Sequence, residues 1–367
     1  MRFPGFTDEW KAAKLDKLVS FLDEQRKPIK SEDRISEKGL YPYYGASGII
    51  DYVDDYIFDG DHILLSEDGA NIIDRNYPVA FIAKGKKWIN NHAHVLLPQK
   101  DIDIDFLTQS LERKNYVPFN TGTTMPKLNK ETCKNLLIKV PGREEQRKIG
   151  KLLSLIEARI TTQNKIIEDL KKLKSAIIDK LYSEVIGKEY SYSELLSIVT
   201  ERNTNRTYSK VIAASQEYGM IERDSLNLKV QFDDSSLHTY KIIHPGDYVI
   251  HLRSFQGGYA FSRLKGICSP AYIILRPHES VEYGYFEHYF TSTKFVNSLR
   301  LVTYGIRDGR SINVDEWMSM KVVLPSNEEQ DKIIRTIQSI DSKLENENKI
   351  FTVLSQQRQF LLRQLFI

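Results

Sequence analysis

The segment from Pro141 to Tyr182 occurs twice, because a shift of 184 positions lays it without a gap over Pro325 to Phe366. The prolines coincide, as do Glu144, Glu145 and Gln146 with Glu328, Glu329 and Gln330, and Asn164 and Ile166 with Asn348 and Ile350. Alternating steps of four and three from Ile149 visit Leu153, Ile156, Ile160, Gln163, Ile167, Leu170, Lys174, Ile177 and Leu181. From Ile333 the same steps visit Ile337, Ile340, Leu344, Glu347, Phe351, Leu354, Arg358, Leu361 and Leu365. Eight of ten positions are apolar in each copy, and the polar exceptions fall at the same places. So narrow a seam predicts a coiled coil, since a helix lying on a globular surface shows a wider apolar face. Proline suits the first helical turn, where its missing N–H is not needed, and the acidic pair after it favours the positive end of the helix dipole. Each copy is predicted to be a helix of about 40 residues, or about 60 Å.

The economical arrangement packs the two copies on each other; a homo-oligomeric coiled coil and two helices lying on their own domains are the alternatives. Length favours an antiparallel pair. The roughly 140 residues between the helices form a compact body about 35–40 Å across, which does not return the chain the full length that a parallel pair requires. The expectation is an α+β chain: two mixed α/β domains, 1–143 and 184–325, joined by long helices at 144–183 and 326–367 that form an antiparallel coiled coil with pseudo-two-fold symmetry.

With 367 residues there is room for two cores, and 41% apolar with 28% charged residues is ordinary for a water-soluble globular chain. No apolar run reaches the length of a membrane span, and Met1 to Asp8 holds no signal-peptide core, which predicts a cytoplasmic protein without membrane contact. Cys133 and Cys268 are the two cysteines and make neither a disulfide framework nor a zinc cluster. Basic and acidic residues balance within 1–143, 184–325 and 326–367, so the net charge of +3 sits in the central helix. Binding to a polyanion therefore has to rest on local patches or on partners.

In the first domain, Trp10 to Phe21 reads as a short amphipathic helix, followed by a charged loop from Asp23 to Lys38. Strands are predicted at Ile49 to Val53, His62 to Leu65, Val79 to Ala83, His94 to Leu97 and Leu136 to Val140, with a helix at Asp105 to Arg113. The second domain repeats this plan loosely. Leu195 to Val199 answers Leu18 to Leu22, and Gly246-Asp247 before Tyr248-Val249-Ile250 answers Gly60-Asp61 before His62-Ile63-Leu64. Ala271 to Pro277 answers Ala93 to Pro98, Phe286 to Phe295 answers the helix at Phe106, and Ile312-Asn313 answers Leu128-Asn129. Between these landmarks the similarity disappears. One scaffold used twice with unlike loops predicts two related sites with different targets, and two readers a set distance apart suit DNA, whose groove recurs every 34–36 Å or so.

Candidate base and phosphate contacts are polar or cationic residues on glycine-bearing loops. In the first domain they are Tyr44 and Ser47 in Tyr44-Gly45-Ala46-Ser47-Gly48, Asn71 after Gly69, and Thr123, Thr124 and Lys127 in the stretch 120–127. In the second they are Arg253, Ser254 and Gln256 before Gly257-Gly258, and Tyr304, Arg307 and Arg310 in the stretch 304–311. Plain turn chemistry explains the same composition. Tyr44 fits a stacking ring or a ring buried beneath its loop. The shared polar seam positions, Gln163/Glu347 and Lys174/Arg358, either fix the register of the pair or mark where the seam turns outward to partner helices.

Catalytic signatures are missing: there is no Pro-Pro of an adenine-methyltransferase loop and no phosphate-binding Gly-x-x-x-x-Gly-Lys-Ser/Thr. Asn91-His92-Ala93-His94 reads as a strand ending with both imidazoles on one face, in preference to a metal pair, and Ser66-Glu67-Asp68-Gly69 as a turn.

The order of domain, heptad helix opening Pro-x-x-Glu-Glu-Gln, diverged domain and second helix resembles the specificity subunit of type I restriction-modification enzymes over the whole chain. The residues that carry the resemblance are Val140-Pro141-x-x-Glu144-Glu145-Gln146-x-x-Ile149, Leu324-Pro325-x-x-Glu328-Glu329-Gln330-x-x-Ile333, and Phe6-x-x-Glu9-Trp10, with Leu136 and Met320 opening the strands before each proline. The resemblance implies a non-catalytic subunit whose two target recognition domains each read half of a bipartite site in double-stranded DNA. It implies further that the helices dock two methyltransferase subunits, and through them restriction subunits, while AdoMet, ATP and Mg²⁺ belong to those partners and no cofactor to this chain. A coiled-coil scaffold for two protein-binding domains and a stand-alone DNA-binding regulator remain alternatives.

Overall fold

The computed structural model describes all residues except 1, 4, 35–38, 216–217, 224–233, 252–257, 305–310 and 367, and the backbone alone at 234–235, 303–304 and 311–312. The chain divides into two compact units: residues 1–165 with 349–367, and residues 166–348.

In unit 1, Trp10 to Phe21 is not one helix. Lys11–Lys14 is a strand (β1), Leu15–Leu18 a single helical turn (α1) and Val19–Phe21 a second strand (β2). Tertiary pairing overrides the amphipathic pattern, because β1 runs antiparallel to Leu137–Val140 and β2 to Ala93–Pro98. Tyr41–Gly45 (β3) and Gly48–Val53 (β4) form a hairpin; β4 is the strand predicted at Ile49 to Val53, while β3 runs into glycines that predicted a loop. His62–Ser66 (β5), the turn Asn71–Asp74 (α2), Ala80–Ala83 (β6), Trp88–Ile89 (β7) and Ala93–Pro98 (β8) follow. Ile104–Glu112 (α3), Lys130–Lys134 (α4), Leu137–Val140 (β9) and the long helix Arg143–Ser183 (α5) complete the run. The main sheet has the order β2-β8-β5-β6, all antiparallel, and β4-β3-β7 forms a second sheet. The core of α1, β5, β8 and α3 side chains includes Leu15, Ile63, Leu65, Leu96, Leu107 and Leu111.

Unit 2 repeats the plan with Lys188–Ser191 (β10), Tyr192–Leu195 (α6), Leu196–Val199 (β11), Ile212–Ser215 (β12), Gly219–Glu222 (β13), Lys241–Ile243 (β14) and Tyr248–Ile250 (β15). Tyr259–Phe261 (β16), Gly266–Cys268 (β17), Ile273–Pro277 (β18), Tyr285–Tyr289 (α7) and Thr293–Ser298 (α8) come next. The last elements are Thr303–Tyr304 (β19), Ser311–Ile312 (β20), Val314–Ser319 (α9), Lys321–Leu324 (β21) and Asn327–Leu365 (α10). The sheet order β11-β18-β15-β16 reproduces that of unit 1, and β10 pairs with β21 as β1 does with β9. The strand partners move one landmark: Leu96 faces Ile63 and its counterpart Leu275 faces Tyr248, so Tyr248 takes the place of Ile63 and not that of His62. A slip of one residue exchanges the faces of a strand, and Tyr248 accordingly lies in the main core. There Tyr192 stacks on Trp317 with ring centres 4.3 Å apart.

Within each unit the start of one long helix meets the end of the other, which makes the pairing antiparallel. In unit 1, Ile149 and Leu153 share a core with Leu361, Leu365 and Phe366, and in unit 2 Ile178 shares one with Ile333 and Ile337. The matched polar positions Lys174 and Arg358 are used inside the pair. Lys174 binds Asp341 in unit 2, and Arg358 binds Glu157 in unit 1. Since Glu157 and Asp341 are themselves separated by 184, the duplication carries one ion pair in two copies. Gln163 and Glu347 are buried in the seam.

The repeated glutamine explains the motif at each helix start. The Gln146 side chain accepts from the Asp103 N–H (2.9 Å) and donates to the Pro141 carbonyl (3.0 Å). Gln330 accepts from the Glu282 N–H (2.8 Å) and donates to the carbonyls of Ser280 and Pro325 (3.0 Å each). Both are buried and clip the helix to the segment before α3 or α7. Gly150 serves the same approach, because a Cβ there meets Asp103 Oδ1 at 2.5 Å and the Phe106 nitrogen at 2.7 Å. Asn129 and Asn313, the other exact repeat, cap α4 and α9 by accepting from Thr132 N–H and Glu316 N–H.

Gln330→Ala is expected to destabilise unit 2 by about 2 kcal/mol, because the Glu282 N–H loses its acceptor in a buried site. Urea unfolding measures this, and Gln146→Ala should show the same loss in unit 1.

Candidate nucleic-acid interface

Three of the first domain's predicted contact stretches converge at the end of β5. Ala46 and Ser47 form the two-residue turn of the β3–β4 hairpin, and the Ser66 hydroxyl ties that turn by donating to the Ala46 carbonyl (2.6 Å). Gly69 N–H donates to the Pro126 carbonyl (3.0 Å) and Leu128 N–H to the Glu67 carbonyl (2.7 Å), which brings the 66–71 loop onto the 120–127 loop. The latter is closed on itself, since Asn120 Oδ1 accepts from Gly122 N–H and Lys127 N–H (both 2.9 Å).

Ser47 is half-buried in its turn, while Thr123, Thr124 and Lys127 are exposed. Lys127 Nζ lies 3.5 Å from the Glu67 carboxylate. Asn71 sits in the first turn of α2 with its amide engaged on both sides, accepting from Tyr77 N–H (2.7 Å) and donating to the Tyr77 carbonyl (3.0 Å), so it braces its own loop. Tyr44 lies on β3, half-buried and tilted against Phe81, and desolvation pushes its phenol up from the usual range. In unit 2, β19 pairs Tyr304 with Ser311 in β20. Arg253, Ser254, Gln256, Arg307 and Arg310 lie outside the described residues.

Beneath the unit 1 loops is a charged knot that local spacing did not signal. Asp23 comes from the segment after β2, Arg26 three residues on, Glu67 from the end of β5 and His94 from β8. His94 Nδ1 donates to the Asp23 carboxylate (2.7 Å) and Nε2 to the Leu128 carbonyl (2.8 Å). Neither a carbonyl nor an ionised carboxylate donates, so both ring nitrogens carry protons and the buried imidazole is a cation. Burial alone pushes His94 down, but the Asp23 and Cys133 side chains outweigh it and carry the ring up to about 10. Burial works against the Asp23 carboxylate as well, but His94, the Val95 N–H and Arg26 hold it below its ordinary range. Arg26 donates to Glu67 (2.7 Å) and to the Ala93 carbonyl (2.8 Å). Glu67 thus sits among Arg26, His94 and Lys127, and its backbone joins His92 and Leu128.

The two histidines predicted on one face separate. His94 is buried, whereas His92 stays at the surface, where its Nδ1 lies 2.9 Å from Asp68. Each therefore has its own carboxylate, and among the described residues no group of His, Cys, Asp and Glu is arranged to hold a metal ion. Both cysteines are buried thiols. Ile49, Ile50 and Tyr52 are exposed on β4 next to the turn.

Residues 7–172 match the family model for the type I restriction modification DNA specificity domain. A putative type I restriction enzyme specificity subunit of Haemophilus influenzae is 37% identical over 154 residues, 42% of this chain and 38% of the relative. The MjaVIII specificity subunit of Methanocaldococcus jannaschii is 25% identical over 93% of this chain and 88% of its own length. Residues 7–172 thus carry the type I restriction modification DNA specificity domain, and the chain as a whole is similar to type I specificity subunits. The likeness of fold extends over the full length: the S subunit of M. genitalium superposes with a TM-score of 0.64 at 15% identity, covering 100% of this chain and 99% of its own. A chain from a structure on assembly and conformational transition of the type I system gives 0.55 at 14% identity over 98% of both chains. Among the described residues no helix is long and apolar enough to cross a membrane.

Because the folded His94 titrates above the ordinary histidine value, its stabilisation is complete below about pH 6.5 and is lost as the pH rises towards its raised value. Asp23→Asn should cost about 3 kcal/mol near neutral pH. The gap to the unsubstituted chain, read from urea midpoints, should narrow as the pH approaches 10.

Proposed function

We propose that this chain is the DNA-reading subunit of a type I restriction-modification complex, in which 1–143 and 184–325 are target recognition domains that each read one half of a bipartite duplex site. The observation that carries this reading is the repeated scaffold: two sheets of identical strand order, each clipped by a buried glutamine to its own long helix, with unlike loops between the shared elements. A frame that holds its loops by buried hydrogen bonds presents polar side chains in a fixed register, as base readout requires. In the first domain, Ser47, Thr123 and Thr124 are the proposed groove contacts and Lys127 the phosphate contact, with Asn71 and Tyr44 holding the loop bases. In the second, Arg253, Ser254, Gln256, Tyr304, Arg307 and Arg310 are retained as contacts on their sequence positions alone.

Bond making belongs to partners in this reading. The chain selects which adenines a methyltransferase subunit receives, and base flipping takes place in that subunit. Helices 144–183 and 326–367 are the proposed docking surface for two methyltransferase subunits, through which restriction subunits join. Support comes from apolar side chains that the seam leaves exposed: Leu155, Ile350, Val353 and Phe360 in unit 1, and Ile166 and Leu173 in unit 2. Ile166 and Ile350 are matched by the duplication, as two equivalent docking sites require.

Mapping N6-methyladenine in DNA from cells that express the chain with its methyltransferase tests the reading. A single bipartite consensus is expected, and replacing 184–325 by the corresponding domain of another specificity subunit should change one half of it and leave the other. Modified positions that do not respond to the exchange overturn the proposal. Val353→Asp combined with Phe360→Asp should leave the fold intact and lower methyltransferase co-purification at least tenfold or so, as loss of two central apolar anchors does at other interfaces.

A further inference from the structure

Unit 1 contains a recess of about 190 Å³ between the C-terminal end of α3, the strand β9 and the end of α10, lined by Trp10, Ser110, Arg113, Lys114, Lys139 and Phe366 among others. Its polar groups are nearly all donors. The Arg113 guanidinium is partly exposed and lies 4.9 Å from the centre of the Phe366 ring. Lys114 donates to the Leu137 carbonyl (3.0 Å), and Lys139 projects from β9. The Trp10 indole N–H is buried and finds no acceptor. None of the three cations has an acidic partner among the described residues. Burial draws Arg113 down, and burial together with Arg113 draws Lys114 down, with no carboxylate opposing either. Cations gathered at a recess without a counter-charge make a site for an oxyanion, because a cleft lined by one sign of charge concentrates the other.

We propose that this recess holds one phosphate of the DNA backbone at the flank of the first recognition domain, with Arg113, Lys114 and Lys139 supplying charge. The inference rests on the DNA-reading function and goes beyond it by naming positioning residues outside the loops. Continuity with the loop face favours phosphate over an acidic side chain of a partner protein. Arg75, which ends the α2 turn that Asn71 begins, donates to the Lys114 carbonyl (3.2 Å), so the recess and the 66–77 loop share a brace. Domain 1–143 has balanced charge, and its affinity for a polyanion needs such a local cluster. A backbone contact fixes the orientation of the domain on the duplex and carries no sequence information.

The test is DNA binding by the chain assembled with its methyltransferase, measured across a salt series on target and on random duplexes. Arg113→Gln with Lys114→Gln should lower affinity for both duplexes by the same factor and reduce the slope of log K against log salt by about one, the signature of one lost phosphate. Arg113→Lys should restore part of the slope, and the methylated sequence should not change. An unchanged slope with a lower melting temperature would show that the cations only cap α3 and overturns the inference. So does an unchanged slope with lost methyltransferase co-purification, which assigns the recess to a protein carboxylate. Failure of the unsubstituted complex to bind either duplex would instead overturn the DNA-reading function itself.

Discussion

The structure depends on how each long helix is held at its start. Gln146 and Gln330 reach from the first helical turn into the adjoining domain and satisfy a backbone N–H there while closing on their own proline carbonyls. A buried amide with its acceptor and donor both used makes one geometry cheap and its neighbours costly. Domain and helix are therefore oriented by a contact that involves neither the seam nor the loops. Loops can diverge without disturbing it, and so they have.

The seam adds register. Apolar contacts at heptad spacing tolerate sliding by a heptad, but an ion pair does not. Lys174 with Asp341 and Arg358 with Glu157 are one interaction written twice, each linking the two helices within one unit. The matched polar positions are used inside the pair, while apolar residues off the seam, Val353 and Phe360 among them, are exposed.

Loop placement in the first domain has a different origin. Two stretches more than fifty residues apart, the 66–71 loop and the 120–127 loop, are joined by backbone hydrogen bonds and underpinned by a protonated His94 locked between Asp23 and the Leu128 carbonyl. Buried charge is expensive to install, and here the expense falls on residues that hold the loops and not on the loops' exposed side chains. The exposed members, Thr123, Thr124 and Lys127, are free of that structural duty apart from the contact of Lys127 with Glu67.

Periodicity and repetition in the sequence were enough for the two long helices, their antiparallel pairing, the α+β class and most strands, because a heptad seam and a 184-residue repeat are local or exactly spaced signals. Local pattern misread Lys11–Lys14 and Val19–Phe21, whose strand state comes from partners roughly eighty or more residues away, and Tyr41–Gly45, whose hairpin hides behind glycines. The landmark at Gly246-Asp247 was legible but one residue out of register, since only the facing strand fixes which side chain points inward. The knot of Asp23, Arg26, Glu67 and His94 left no trace in spacing, for its members meet only when β2, β5 and β8 lie side by side. What the sequence determined by itself is what repeats along one dimension; what the tertiary structure alone decided is which distant polar groups share a buried site, because burial and charge pairing are properties of neighbours in space.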